Sequence, residues 1–256
     1  MAGSATPPDM GLVSFVGAGP GDPELITVAG LARLRRADVV IHDRLVAPEL
    51  LAEAPAHAER LDVGKAPGRH CVGQDEINWL LVDAARLRGP VEPAGGPRDP
   101  GVTSATAAAA RAGISLTARG TASTVVLATG TDQTGHGRAN LDWAELARVD
   151  GTLVFYMAVG ALVTVTASLT ALGRDAREPA LVVERVGTAG ERVIAGRLGD
   201  IADRARAAEV MAPAVLITGP TIEGTGPGLT PRPSLCPRVA LPTPAPAASR
   251  ARLAHA

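Results

Sequence analysis

One short stretch, residues 13–27, constrains the fold of this chain more than any other part of the sequence. It reads Val-Ser-Phe-Val-Gly-Ala-Gly-Pro-Gly-Asp-Pro-Glu-Leu-Ile-Thr, so an apolar strand runs directly into a glycine-rich turn. Asp22 and Pro23 suit the N-cap and the first position of a following helix. The backbone can take positive φ and approach a ligand closely at Gly17, Gly19 and Gly21. The stretch therefore predicts a strand–turn–helix unit, and both a ligand-binding loop and a plain connection remain open.

The glycine spacing separates this turn from the dinucleotide-binding fingerprint. In G-x-G-x-x-G the third glycine comes one residue later than Gly21 does here, and Pro20 stiffens the turn. A nicotinamide-dependent dehydrogenase is therefore disfavoured.

Strand and helix patterns alternate along most of the chain, which is typical of α/β proteins with parallel sheets. The predicted strands are Leu12–Val16, Asp38–His42, Glu59–Val63, Thr124–Ala128, Thr152–Tyr156, Ala180–Val183, Arg192–Ala195 and Ala214–Thr218. The predicted helices are Glu24–Arg36, Ala47–Glu53, Gln74–Arg86, Thr103–Ala112, Trp143–Arg148, Gly160–Leu172 and Leu198–Glu209.

Composition excludes several classes of protein. The net charge of −1 argues against a nucleic-acid-binding protein. The two cysteines have no metal-site spacing, so we expect no metal and reduced thiols in a cytoplasmic protein without a signal peptide. Residues 151–173 carry no charge, but they divide into a strand pattern and a threonine-containing helix pattern. We therefore expect a soluble strand–loop–helix there and no membrane association.

Ordered sequence blocks over most of residues 11–222 carry a family resemblance. They are GAGPGDPELIT (17–27), ADVVIHDRLV (37–46), VGKAPGRH (63–70), QDEIN (74–78), PGVTSA (100–105), GISLTARG (113–120), LDWAELA (141–147), TLVFYM (152–157) and PAVLITG (213–219). In these blocks the chain resembles the tetrapyrrole (corrin/porphyrin) methylase family. The resemblance implies a two-domain α/β fold with mostly parallel sheets, an active-site cleft between the domains, and a homodimer.

The chain departs from the family pattern between residues 89 and 100. The family has a GGDPFVFGRG-type loop within a strand–helix–strand unit here, whereas this chain has only a short connection that keeps Gly95 and Gly96. We therefore expect a first domain, 11–120, truncated at this point, followed by a second domain, 121–222. Residues 1–10 and the proline-rich tail 223–256 are predicted to be disordered.

The family resemblance implies a chemistry as well as a fold. It implies that S-adenosylmethionine donates methyl groups to carbon atoms of uroporphyrinogen III, which gives precorrin-2 for siroheme and cobalamin biosynthesis. Asp43 would accept a proton and Lys65, the only lysine of the chain, would donate one. A helix cap or an ion pair with Arg44 remains open for Asp43, and a solvated surface position remains open for Lys65. A catalytically impaired copy and a later precorrin methyltransferase also remain open as activities.

The resemblance further implies which residues bind the two small molecules. The cofactor would contact Pro20, Gly95, Gly96, Thr103, Ser104, Met157 and Gly187, with Val186 as the alternative to Gly187. Arg119 would bind substrate carboxylates, because a guanidinium pairs with a carboxylate through two hydrogen bonds. Helix capping by Thr103 or Ser104, a core position for Met157 and a surface position for Arg119 are the simpler alternatives.

Overall fold

A computed structural model describes residues 13–64, 73–86, 98–131 and 140–222 of the chain. Several sequence predictions lie outside these residues: those for Lys65, Gly95, Gly96, the two predicted disordered ends and most of the truncated segment.

The first half of the described chain alternates strands and helices, as the sequence predicts. Its elements are β1 (Phe15–Val16), α1 (Val28–Leu34), β2 (Val39–His42), α2 (Pro48–Ala52), β3 (Glu59–Asp62), α3 (Gln74–Arg86), β4 (Arg98–Asp99) and α4 (Ser104–Arg111). β1 pairs with β4 and β2 pairs with β3, and both pairs are parallel. Within the described ranges no ladder joins these two pairs, so the first half contains two separate two-stranded sheets.

The helix predicted over Glu24–Arg36 is wrong in its first turn. Asp22 caps only a single 3-10 turn, Pro23–Leu25, and Ile26 is then extended with ψ of 145°. The Thr27 hydroxyl accepts a hydrogen bond from the amide three residues ahead at 3.0 Å and so caps α1. Asp22 and Thr27 each accept a hydrogen bond from a backbone amide ahead of them. These two local caps replace one continuous helix by a 3-10 turn followed by α1.

The second half forms one five-stranded sheet with helices α5, α6 and α7 on it. Its elements are β5 (Val125–Thr129), α5 (Trp143–Arg148), β6 (Thr152–Tyr156), α6 (Leu162–Ala171), β7 (Pro179–Glu184), β8 (Arg192–Arg197), α7 (Ile201–Ala207) and β9 (Ala214–Thr218). The strand order is β5-β6-β9-β7-β8. The uncharged stretch 151–173 forms strand β6 and helix α6, as predicted. None of the described helices combines the length and the apolar character needed to cross a bilayer.

The α/β class is confirmed, and the direction of the strands differs between the two halves. β5 and β6 are parallel, like both pairs of the first half, whereas the other three pairings of the large sheet are antiparallel. The turn at 185–191 between β7 and β8 is too short for the crossover that a parallel pair requires. The short connection therefore makes β7 and β8 an antiparallel hairpin.

The large sheet carries a separate apolar cluster on each face. Phe155 points to the face covered by α5, α6 and α7, where its ring stacks on Trp143 with centroids 6.2 Å apart. Val154, which points the other way, packs with the buried alanines of α4. Residues 104–111 are assigned by the sequence to the first domain, yet α4 packs on the sheet of the second half. Alanine side chains allow this close approach, and Ala105 and Ala108 have no exposed surface.

Candidate functional site

Two loops leave the carboxyl ends of β1 and β4 side by side. Because the strands are parallel, residues 17–22 and residues 100–103 begin at the same edge of the sheet. The Gly17 amide donates to the Asp99 carbonyl at 2.9 Å. A Cβ atom added at Gly17 would lie 2.3 Å from the amide nitrogen of Gly101, so the two backbones are in direct contact. The glycines of the two motifs are therefore required for loop-to-loop packing.

The turn between β7 and β8 packs against the same glycine-rich loop. Gly187 has a φ of +77°, and a Cβ atom there would lie 2.8 Å from the Asp22 amide nitrogen. In the opposite direction, a Cβ atom at Gly21 would lie 2.9 Å from the Val186 carbonyl oxygen. The predicted Gly187 is thus brought to the loop that carries Pro20. Of the two candidates in this turn, Val186 is buried and Gly187 is half-buried, which favours Gly187 for contact with a ligand.

Thr103 is hydrogen-bonded to Tyr156, the residue that precedes Met157. The Thr103 hydroxyl caps α4 by accepting from the Ala105 amide at 3.3 Å, and it lies 2.5 Å from the Tyr156 hydroxyl oxygen. The N-cap role of Thr103 is therefore real, and the residue also links the two halves of the chain. Ser104 is the first residue of α4 and is half-buried.

Met157 follows Tyr156 directly and is a surface residue rather than a core residue. It has a φ of +51° and its exposed fraction is 62%. An exposed thioether side chain in a strained backbone position is a candidate ligand contact, because such strain clusters at binding sites.

Tyr156 is a residue of this site to which the family resemblance assigns no role. Two signals pointed to it: it is the only tyrosine of the chain, and it ends a strand whose other residues are all buried. The hydroxyl of a tyrosine at such a strand end needs a partner, and Thr103 provides one.

Asp43 lies on the other two-stranded sheet. It is exposed at the carboxyl end of β2, and its Oδ1 atom accepts from the Leu45 amide at 2.8 Å. Within the described residues Asp43 forms no ion pair with Arg44, the alternative that the sequence left open. Gly64, the residue before Lys65, packs against Arg44, the residue after Asp43. A Cβ atom added at Gly64 would lie 2.6 Å from the Arg44 amide nitrogen. The backbone thus brings the chain leading to Lys65 next to Asp43, while Lys65 itself lies outside the described residues.

Arg119 lies at the tip of a tight turn between α4 and β5. The Ala118 amide donates to the Ala122 carbonyl at 2.8 Å, and Gly120 has a φ of +76°. Arg119 is exposed. Its guanidinium is therefore accessible to an anionic ligand, and the described contacts do not connect it with the loops around Gly21 and Gly187.

The site residues fall into two groups. One group comprises the loop of Pro20, the segment of Thr103 and Ser104, Met157 and the turn of Gly187. Close backbone packing and the Thr103–Tyr156 hydrogen bond join these segments. The second group is Asp43, which directly follows β2, and Arg119, which lies in the turn between α4 and β5.

The sequence model of the family described as Tetrapyrrole (Corrin/Porphyrin) Methylases matches residues 12–91 and 100–202. The interval between the two matched ranges falls within the segment that the sequence predicts to be truncated.

Two named relatives share the sequence over most of this chain. A siroheme synthase of Pseudomonas putida (strain F1) is 39% identical over 236 residues, which cover 83% of this chain and 50% of the relative. A uroporphyrinogen-III C-methyltransferase of Paracoccus denitrificans is 40% identical over 238 residues, which cover 82% of this chain and 81% of the relative. The chain thus spans about half the length of the siroheme synthases that it matches.

Two solved structures share the fold. A uroporphyrin-III C-methyl transferase from Thermus thermophilus in complex with S-adenosylhomocysteine has a TM-score of 0.68 and 37% identity, over 83% of this chain and 99% of the other. A cobalt precorrin-4 methyltransferase has a TM-score of 0.71 and 27% identity, over 82% of this chain and 95% of the other.

Proposed function

The chain belongs to the tetrapyrrole (corrin/porphyrin) methylases, and from this premise we propose that it is an S-adenosylmethionine-dependent uroporphyrinogen-III C-methyltransferase that makes precorrin-2. One observation carries the proposal. Three loops to which the family resemblance assigns cofactor contacts, around Gly21, Thr103 and Gly187, lie together although they are far apart in sequence. The name of the Paracoccus relative and the S-adenosylhomocysteine complex of the Thermus protein support the choice of substrate and methyl donor.

The residues at this edge fit the proposed cofactor. Gly19 and Gly21 have φ of +80° and +137°, so the backbone at these two positions carries no side chain of its own and adopts a conformation that favours glycine. The Thr103 hydroxyl offers a polar group, and the exposed Met157 offers an apolar, polarisable surface. Together they provide polar and apolar contacts for a nucleoside with a sulfonium-bearing amino-acid chain. Gly95 and Gly96 are proposed to add backbone contacts of the same kind.

In the mechanism that we propose, the chain orients the substrate and moves protons. S-adenosylmethionine, when bound, supplies an electrophilic methyl group for a nucleophilic ring carbon. Asp43 accepts the proton released from the ring, and its exposed carboxylate at the end of β2 is available for this. Lys65 donates a proton, and the exposed Arg119 binds a substrate carboxylate. Positioning supplies most of the catalysis, since the reacting atoms must be aligned.

Titration calorimetry with S-adenosylhomocysteine tests the cofactor site, and the full chain should bind it one to one. Incubation with S-adenosylmethionine and uroporphyrinogen III should then give a product carrying two added methyl groups, detected by mass spectrometry. If the folded chain binds no S-adenosylhomocysteine, it is instead a catalytically impaired member of the family. The truncation between residues 89 and 100 supports this alternative.

A later precorrin methyltransferase is the second candidate. The TM-score of 0.71 to a cobalt precorrin-4 methyltransferase favours it, although the sequence identity of 27% is lower than the 37% of the Thermus protein. A product formed only from a methylated corrin precursor, and not from uroporphyrinogen III, would establish this alternative.

We further propose that the enzyme is a cytoplasmic homodimer that acts without nucleic acid or membrane. The family resemblance supports the dimer, and the net charge of −1 fits a small-molecule substrate better than a nucleic acid. Light scattering of the full chain should give twice the monomer mass of 25.9 kDa.

A further inference from the structure

We propose that Glu191, held by Arg111, is a positioning residue that sets the Gly187 turn against the glycine-rich loop. The inference rests on the proposed function, because that turn is a proposed part of the S-adenosylmethionine site. Glu191 is not among the residues for which the sequence motifs suggest a role.

The Glu191 carboxylate is almost completely buried and has two kinds of partner. Its side chain is 4% exposed. Arg111 Nε donates to Oε2 at 2.9 Å and to Oε1 at 3.1 Å, and the Gly187 amide donates to Oε2 at 2.7 Å. A buried carboxylate needs such partners, because an unpaired charge in this environment is costly. The short bond from the amide is charge-assisted and therefore stronger than an ordinary turn bond.

Arg111 connects this carboxylate to the other side of the site. It is the last residue of α4, a helix that begins at the Thr103 cap and packs on the large sheet through its buried alanines. A cation at this end also interacts favourably with the helix dipole. One rigid helix therefore joins the Thr103–Tyr156 contact at its start to the Arg111–Glu191 pair at its end.

The position of Gly187 decides the position of the glycine-rich loop. The turn and the loop leave no room for a side chain, since a Cβ atom at Gly187 would lie 2.8 Å from the Asp22 amide nitrogen. If Gly187 moved away from Glu191, its packing against residues 21 and 22 would change: the turn would either clash with the glycine-rich loop or separate from it. The Glu191 carboxylate consequently controls the shape of the cofactor site without reaching the cofactor itself.

The Glu191→Gln variant tests the inference, because glutamine keeps the size and one acceptor oxygen but removes the charge. We expect the affinity for S-adenosylhomocysteine to fall about tenfold, because the variant loses a hydrogen bond to a charged group. The KM for S-adenosylmethionine should rise by a similar factor while kcat changes less than about twofold, because the chemical groups are untouched. Arg111→Met should have the same effect, and Arg111→Lys a smaller one.

The Arg174–Glu178 pair provides the matched control. Glu178 lies just before β7, at the opposite end of that strand from the Gly187 turn. Its side chain is 16% exposed, and its carboxylate accepts from Arg174 Nε at 2.9 Å. Glu178→Gln should lower the melting temperature at least as much as Glu191→Gln and leave cofactor affinity within about twofold of wild type. Equal losses of affinity in both variants would mean general destabilisation and would overturn the positioning role.

Hydrogen exchange of the Gly187 amide, followed by NMR, separates this inference from the proposed function. Exchange should be about tenfold faster in Glu191→Gln than in wild type without any ligand, and unchanged in Glu178→Gln. Unchanged exchange in Glu191→Gln would overturn the positioning role even if the enzyme is active. Absence of S-adenosylhomocysteine binding by wild type would overturn the proposed function alone, since the exchange result does not depend on it.

Discussion

The hydroxyl oxygens of Thr103 and Tyr156 lie 2.5 Å apart and join the start of α4 to the end of β6. The two residues are separated by 53 positions in sequence, so this hydrogen bond exists only through the tertiary fold. It places a helix cap of the first half beside the exposed Met157 of the second half. The contact is a direct polar link between the two parts of the proposed cofactor site.

Removing the tyrosine hydroxyl should weaken the site without unfolding the protein. In Tyr156→Phe, Thr103 loses one partner but keeps the Ala105 amide as the other. We expect a loss of about 1 kcal/mol in the free energy of unfolding and a several-fold weaker affinity for S-adenosylhomocysteine. Urea titration and calorimetry measure the two effects.

Thr103 variants test whether the cap of α4 and the hydrogen bond to Tyr156 contribute separately to stability. Thr103→Ser keeps a hydroxyl for both roles and should behave like wild type, while Thr103→Val loses the cap and should cost about 1 kcal/mol more than Tyr156→Phe. Equal stability of Thr103→Val and Tyr156→Phe would contradict the capping role.

The contact between Gly17 and Gly101 should tolerate no side chain. A Cβ atom in Gly17→Ala would meet the backbone of Gly101 at 2.3 Å, so the loops must separate. We expect a loss of more than about 2 kcal/mol in unfolding free energy and loss of cofactor binding. Gly160→Ala is the control, because no atom lies within 4 Å of its added Cβ and its φ is not positive. It should stay within about 0.5 kcal/mol of wild type, measured by thermal and urea unfolding.

Asp43→Asn should separate catalysis from cofactor binding. The asparagine oxygen can still accept from the Leu45 amide, so the turn after β2 should persist. If Asp43 accepts the proton, kcat should fall about 100-fold or more while the affinity for S-adenosylhomocysteine stays unchanged. Asp62 accepts from the Gly64 amide in a similar turn after β3, so Asp62→Asn is the matched control. A similar loss of kcat in both variants would assign the effect to turn geometry rather than to proton transfer.

The single lysine allows a chemical test of its proposed role. Because Lys65 is the only lysine, it and the terminal amine are the only amino groups that an acetylating reagent can modify. Acetylation removes the charge and the transferable proton, so activity should be lost in proportion to the modification of Lys65, as followed by peptide mass spectrometry. Full activity after complete modification would exclude the proton-donor role.

Several elements could be predicted because their sequence patterns are local. Trp143–Arg148, Thr152–Tyr156 and Ala214–Thr218 form over the predicted residues, since their apolar periods and flanking turn residues agree. The α/β class and the family follow from such patterns and from the ordered motifs. The cap of α1 was missed because Asp22 and Thr27 are both good capping residues, and sequence alone does not rank them.

The alternation of strands and helices and the glycine-rich loops follow from the sequence, because each depends on residues that are neighbours in the chain. Membership of the family follows from the order of the motifs. The tertiary structure alone decided three other features. It set the antiparallel course of β7 and β9, the packing of α4 on the second sheet, and the burial of Glu191 between Arg111 and Gly187. These depend on contacts between distant segments, where burial and close backbone approach, rather than local propensity, select the arrangement.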